Sequence, residues 1–177
     1  MFMIPSRIPA CALRMLARSE WFSDPGLLLR AQLAPANALA RFLSSPFFSK
    51  RSDIAAITLG HNVYFRAARY FDPHSAAGLS LLAHELKHVE QVERGGLAGF
   101  YLGYVRDYVH SGYGEFMPQE AEAYQLGRAV YAHMQAEMAA NADHPCCLGA
   151  DGAHVANPDF VLMTPLLFRA RHVSTNA

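Results

Sequence analysis

The sequence predicts an α+β domain, and three observations predict it. Ile57 and Leu59, then Val63 and Phe65, alternate within two short runs around Gly60-His61-Asn62. Such a pattern reads as a β-hairpin or as two strands of a small sheet. Stretches with helical spacing of apolar residues lie before this pair, at 8–20 and 26–44, and after it, at about 76–93, 97–109 and 118–141. Breakers separate them: Asp24-Pro25-Gly26, Pro35, SSPFFSKRSD (44–53), Gly95-Gly96 and HSGYGEFMP (110–118).

Each boundary has a local reason. In FDPHSAAG, Ser75 is placed to cap the helix that starts near Ala76. Gly95-Gly96 ends that helix, and the aromatic-rich stretch 97–109 follows. Pro118 suits the first turn of the next helix, which runs to near Asn141. The rest reads as loop with one short element at 160–169. The expected organisation is an N-terminal helical segment at 1–53, a core at 54–141, and a loop-rich tail at 142–177 packed on the same domain. With 177 residues, 52% hydrophobic and 17% charged, the chain has enough apolar material for one real core.

Composition excludes some function classes. The net charge is zero and the pI is about 7.1, so there is no basic field to hold a nucleic-acid backbone. Three cysteines, Cys11, Cys146 and Cys147, do not form a disulfide framework by count, and a reducing compartment fits them. Arg7, Arg14 and Arg18 interrupt the N-terminus, so no secretory signal is evident. The uncharged run GGLAGFYLGYV (95–105) is too short to span a bilayer. The expected location is cytoplasmic, or outside the cell by a route that needs no standard signal peptide.

The chemistry concentrates in LLAHELKHVEQ (81–91). At about 100° of helix per residue, His84 and His88 lie about 40° apart and one turn apart in height. Both imidazoles can therefore reach one metal ion. Glu85 sits about 60° to the side of His88, badly placed for ligation but within reach of a water beside the metal. Leu82, Leu86 and Val89 cluster on the opposite side, so the core grips that face while the histidines look into a cleft. The competing reading is a helix with two solvated histidines. The apolar opposite face and the acids downstream argue against it.

A hydrolytic zinc site takes three protein ligands and keeps a fourth position for water. MPQEAEAYQLG (117–127) offers Glu120 and Glu122, about 200° apart on a helix, so only one can face the metal. Glu120 shares its face with Tyr124, Gly127 and Tyr131, and Glu122 shares its own with Leu126 and Ala129. Geometry leaves both acids open.

HELKHVEQ, a Tyr-rich segment (YLGYVRDYV) and then GY…MPQEAEAY resemble the HExxH…P-x-E-x-E-A pattern of metallopeptidase domains. Such domains accompany bacterial polymorphic toxins and extracellular contractile injection systems. The likeness covers roughly 54–130, including the strand–turn–strand entry ITLGHNVYFRAARYFDPHSAAGLSLLAHEL. More widely the pattern is similar to gluzincins and minimal gluzincins, in which a glutamate on a separate helix completes the site. The resemblance implies Glu120 as the third ligand, because the first glutamate of E-x-x-A binds zinc in that group.

Two positions depart from the pattern. Lys87 replaces an uncharged residue, and is expected either to reach solvent at the cleft edge or to hold its charge near the metal. Tyr124 stands where related families have an aspartate that supports a ligand histidine.

The expected function is a zinc-dependent metallopeptidase, with His84, His88 and Glu120 as ligands to Zn2+ and Glu85 as general base. Tyr124, with Tyr131 beside it, is the candidate oxyanion donor, against a competing role in core packing. The strand at Val63–Phe65 is the expected edge for an extended peptide. The partners expected are a peptide or protein substrate and a secretion-system or toxin protein, with no nucleic acid and no membrane span. The alternative is a zinc-stabilised cargo or adaptor module with little or no turnover. His144, Cys146 and Cys147 read as a loop rather than a second metal site, and the other histidines have no assigned partner.

Overall fold

A computed structural model describes residues 4–17, 21–43, 54–111 and 116–140. The expectations for 44–53 and for 142–177, including His144, Cys146 and Cys147, lie outside the described residues. The element order is α1 (Ala10–Leu16), α2 (Leu27–Arg30), β1 (Gln32–Pro35), α3 (Ala38–Leu43), β2 (Ala56–Leu59), β3 (Asn62–Phe65), a 3-10 turn (Ala68–Tyr70), α4 (Ala76–Ser111) and α5 (Pro118–Ala140). This is an α+β architecture, in which a three-stranded sheet packs against the long helix α4, which in turn packs against α5.

The hairpin forms as the alternation requires. β2 and β3 are antiparallel, with Leu59 opposite Asn62 and Thr58 opposite Val63. Gly60 has φ 62 at the first central position of the turn, a conformation that favours glycine.

The stretch 26–44 is not continuously helical. Gln32–Pro35 leaves the helical pattern and pairs parallel to β3, with Leu33 opposite Val63. The strand order is β1-β3-β2, so β3 is central and β2 is an edge. The expectation that Val63–Phe65 offers a free edge is therefore corrected, because both of its sides are paired. Pro35 is tolerated because β1 is the other edge.

One core unites the N-terminal segment with the later helices. Leu16, Phe22, Leu27 and Leu33 join Val63, Phe65, Leu79, Leu82, Leu86 and Val89 in a single buried cluster. Cys11 is disulfide-bonded, although the cysteine count does not read as a disulfide framework.

Two glycines set where α4 sits. Ser75 Oγ accepts the Gly78 N–H at 3.0 Å, the N-cap expected from the sequence. A Cβ on Gly78 would lie 1.8 Å from the Asp72 carbonyl oxygen, so only glycine lets the preceding loop pass this close. At Gly96, φ 70 and ψ 158 break the helix and redirect the aromatic arm at 97–111. α5 packs along α4, with Ser80 Oγ donating to the Gly127 carbonyl at 2.8 Å. A Cβ on Gly127 would come within 3.3 Å of Ser80 Oγ, which marks a close approach of the two helices.

Candidate metal centre

That helix contact brings the first turn of α5 opposite the histidines of α4. His84 Nε2 lies 3.4 Å from Glu120 Oε2, and His88 Nε2 lies 3.5 Å from Glu120 Oε1. Ligand atoms of the three residues all fall within 4.8 Å of one another. Two ligands about 2.0–2.1 Å from a tetrahedral ion stand roughly 3.3 Å apart, so the spacing suits a small cation with nitrogen and oxygen donors. The two imidazole rings are nearly perpendicular, at 87°.

Glu120 is only 1% exposed, and its Oε2 is a buried oxygen whose sole polar neighbour among the described contacts is His84 Nε2 at 3.4 Å, too long for a good hydrogen bond. A buried carboxylate oxygen so weakly satisfied is costly unless a cation sits beside it, so the residues present fit a metal ion. Burial alone would raise the carboxyl pKa. His84, His88 and the Tyr104 hydroxyl outweigh burial and hold it at about 2, so the group is ionised. Burial disfavours a protonated His84, but the charges and hydrogen bonding of Glu120, the charge of Glu85 and the Ala123 backbone outweigh it and raise its pKa.

His88 is held from behind. Its Nδ1 lies 2.9 Å from Gln91 Oε1, while Gln91 Nε2 donates to the Gln119 carbonyl at 3.0 Å and to Glu122 Oε2 at 2.8 Å. His84 packs edge-on against Tyr124, with ring centroids 4.6 Å apart.

Glu85 is buried beside the ligands. Its Oε2 accepts the Thr58 hydroxyl at 2.7 Å, which ties the carboxylate to edge strand β2. The three ligand residues and Glu85 line a cavity of about 280 Å³, closed elsewhere mainly by β2 and by the aromatic arm of α4. Tyr104 reaches in from that arm and donates to Glu120 Oε1 at 2.7 Å. Tyr101 Oη lies 2.9 Å from the Gly60 nitrogen and 3.3 Å from the Thr58 carbonyl, which fastens the arm to the hairpin.

His84, His88 and Glu85 come together as the spacing requires, and Glu120 joins them as the resemblance implies. The ambiguity between the two acids is resolved by packing. Glu122 turns away from the histidines to Arg94 at 2.9 Å, Lys87 at 3.1 Å and Gln91. Tyr124 packs against a ligand ring and is not among the cavity-lining residues. Lys87 does not reach solvent at the cleft edge. It sits between α4 and α5, with Nζ 2.5 Å from Glu90 Oε2 and 3.1 Å from Glu122 Oε1. Sequence reasoning missed Thr58, Gln91 and Tyr104. The spacing of Phe100, Tyr101, Tyr104 and Tyr108 on one helical face was the signal for the last of these.

Among the described residues, no helix is long and apolar enough to cross a membrane. No curated protein and no solved structure matches the chain significantly. Residues 48–96 match the family profile of the eCIS core domain, a stretch that holds the hairpin, His84, Glu85 and His88 but not Glu120, and this match links the chain to extracellular contractile injection systems.

Proposed function

We propose that the chain is a zinc-dependent metallopeptidase of gluzincin type, working in association with a contractile injection system. The observation that carries this reading is the convergence of His84, His88 and the buried, poorly satisfied Glu120 oxygen beside Glu85 in a cavity. Two imidazoles and a carboxylate are a donor set that suits zinc and leaves a position open. Zinc in such a set supplies Lewis acidity and brings the pKa of a water towards neutrality.

The remaining work falls to the chain. Glu85, steadied by Thr58, takes the proton of the attacking water and delivers it to the leaving amine. Tyr104 presents a hydroxyl beside the ligands within the cavity; by turning its one proton from Glu120 Oε1 to the developing oxyanion it takes the role of oxyanion donor, while Tyr124 steadies His84. The substrate backbone is assigned to β2. Its pairing with β3 turns the backbone groups of Ile57 and Leu59 towards β3, which leaves those of Ala56 and the Thr58 N–H on the outer edge of a strand that lines the cavity, while Tyr101 holds the Thr58 carbonyl.

The test is Glu85→Gln, which keeps shape and hydrogen bonding but cannot accept the proton. Zinc binding should persist while cleavage of a peptide library falls by roughly 10²-fold or more. Unchanged cleavage would refute the assignment of Glu85.

A second reading is favoured by the match of residues 48–96 to the eCIS core domain. In it, the domain is a zinc-stabilised cargo or adaptor module of the injection system. Stoichiometric zinc with no cleavage of a broad peptide library by the intact protein would make that reading the better one.

A further inference from the structure

Hydrogen positions at His88 follow from the partners of Gln91. A side-chain amide has two N–H donors on nitrogen and only acceptor capacity on oxygen. Gln91 Nε2 faces two acceptors, the Gln119 carbonyl at 3.0 Å and the Glu122 carboxylate at 2.8 Å. Turning the amide over would set oxygen against oxygen at both contacts. The amide orientation is therefore determined, and Oε1 must be the atom 2.9 Å from His88 Nδ1. Because that oxygen can only accept, Nδ1 must carry the proton. In a neutral ring the Nε2 lone pair is then bare, on the side facing Glu120.

We propose that Gln91 is a positioning residue that imposes the Nδ1–H tautomer on His88, and that Glu122 anchors it there. Gln91 is buried, so the arrangement does not exchange readily with water. Lys87 and Arg94 hold the Glu122 carboxylate from the other side. Glu122 therefore serves the centre without ligating, through Gln91 and then His88. A metal that binds Nε2 meets a ring already in the right tautomer and orientation, which removes a cost of binding. Gln91 also supplies ligand support of the kind that the aspartate replaced by Tyr124 gives in related patterns.

The consequence for metal affinity rests on the metal-site reading, whereas the tautomer itself does not. The decisive measurement is ¹⁵N NMR of the imidazole nitrogens in metal-free protein, at a pH where the ring is neutral. His88 should show a protonated Nδ1 and an unprotonated Nε2. Gln91→Met, close in size but without an acceptor, should release the ring towards the Nε2–H tautomer and weaken zinc binding by about 10- to 100-fold. Glu122→Gln keeps an acceptor for the Gln91 amide, so it should retain the wild-type tautomer and most of the affinity. A predominantly Nε2–H His88 in the unmodified protein would overturn the proposal, as would an unchanged tautomer in folded Gln91→Met. Should Gln91→Met not fold, the spectrum of the unmodified protein still decides. Absence of zinc binding by the unmodified protein would remove the metal reading separately.

Discussion

Replacing Lys87 with methionine tests whether this lysine belongs to the fold or to the cleft. Its ammonium is 2.5 Å from Glu90 Oε2, and the two side chains are only 13% and 9% exposed. Glu90 Oε1 also accepts the Ser23 N–H at 2.6 Å, so the pair ties the N-terminal segment to α4. Methionine keeps much of the stem but leaves the Glu90 carboxylate nearly buried without its ion-pair partner, with only the weaker charge interaction of Arg94 remaining. Removing one partner of a buried pair costs about 3–5 kcal/mol. The residual exposure puts Lys87→Met near about 3 kcal/mol, or very roughly 10 °C in Tm for a chain of this size. Glu122 keeps Arg94 and Gln91, so it adds little to the cost. Urea unfolding should show a lower midpoint at an unchanged slope. The double variant Lys87→Met/Glu90→Gln should recover a large part of the loss, because no charge is stranded. Zinc affinity of the folded single variant should stay close to that of the unmodified protein. A stability change within about 0.5 kcal/mol, the range of an ordinary surface substitution, would refute the buried-pair reasoning.

Further outcomes follow from the same geometry. Glu120→Ala should abolish most zinc binding, whereas Glu122→Ala should lower stability and weaken zinc far less; equal losses in two folded variants, read by titration calorimetry, would reject Glu120 as the ligand. Gly78→Ala would force backbone movement at Asp72 and should cost roughly 3 kcal/mol or more, the scale of severe core changes, in chemical denaturation. The pKa of His84 is raised above its ordinary 6.5, so protonation stabilises the folded metal-free protein fully below 6.5, and this contribution is lost as pH rises through the raised value. Zinc competes for the same ring, so its affinity should fall as pH drops through that window; a flat profile there would contradict the shift.

Helices with a strong local signature were legible in the chain. Ser75 capping, the Gly96 break and the Pro118 start each act within a few residues, so sequence reports them directly. The hairpin was equally local, since Gly60 supplies the positive φ that its turn needs. β1 was not legible, because LLLRAQLAP satisfies a helical spacing as well as a short extended run. Its strand conformation depends on hydrogen bonding to β3, about thirty residues downstream. The strand expected to offer a free edge was misassigned for the same kind of reason. Which strand is central, and which hydroxyl enters the cleft, are properties of pairing and docking rather than of spacing.

By itself the sequence determined that His84 and His88 share a face, that Glu85 stands beside them, and that an apolar stripe turns that face away from the core. These follow from the 3.6-residue period of a single helix. It also limited the candidate for a third ligand to one of two acids on opposite sides of the next helix. Only the tertiary structure decided between them, because the choice depends on the rotation of α5 about its own axis. The Ser80–Gly127 contact sets that rotation, placing Glu120 against the histidines and Glu122 against Lys87, Arg94 and Gln91. Tertiary structure likewise took Lys87 out of the cleft, since a flexible four-carbon stem follows the nearest buried carboxylates rather than its helical angle.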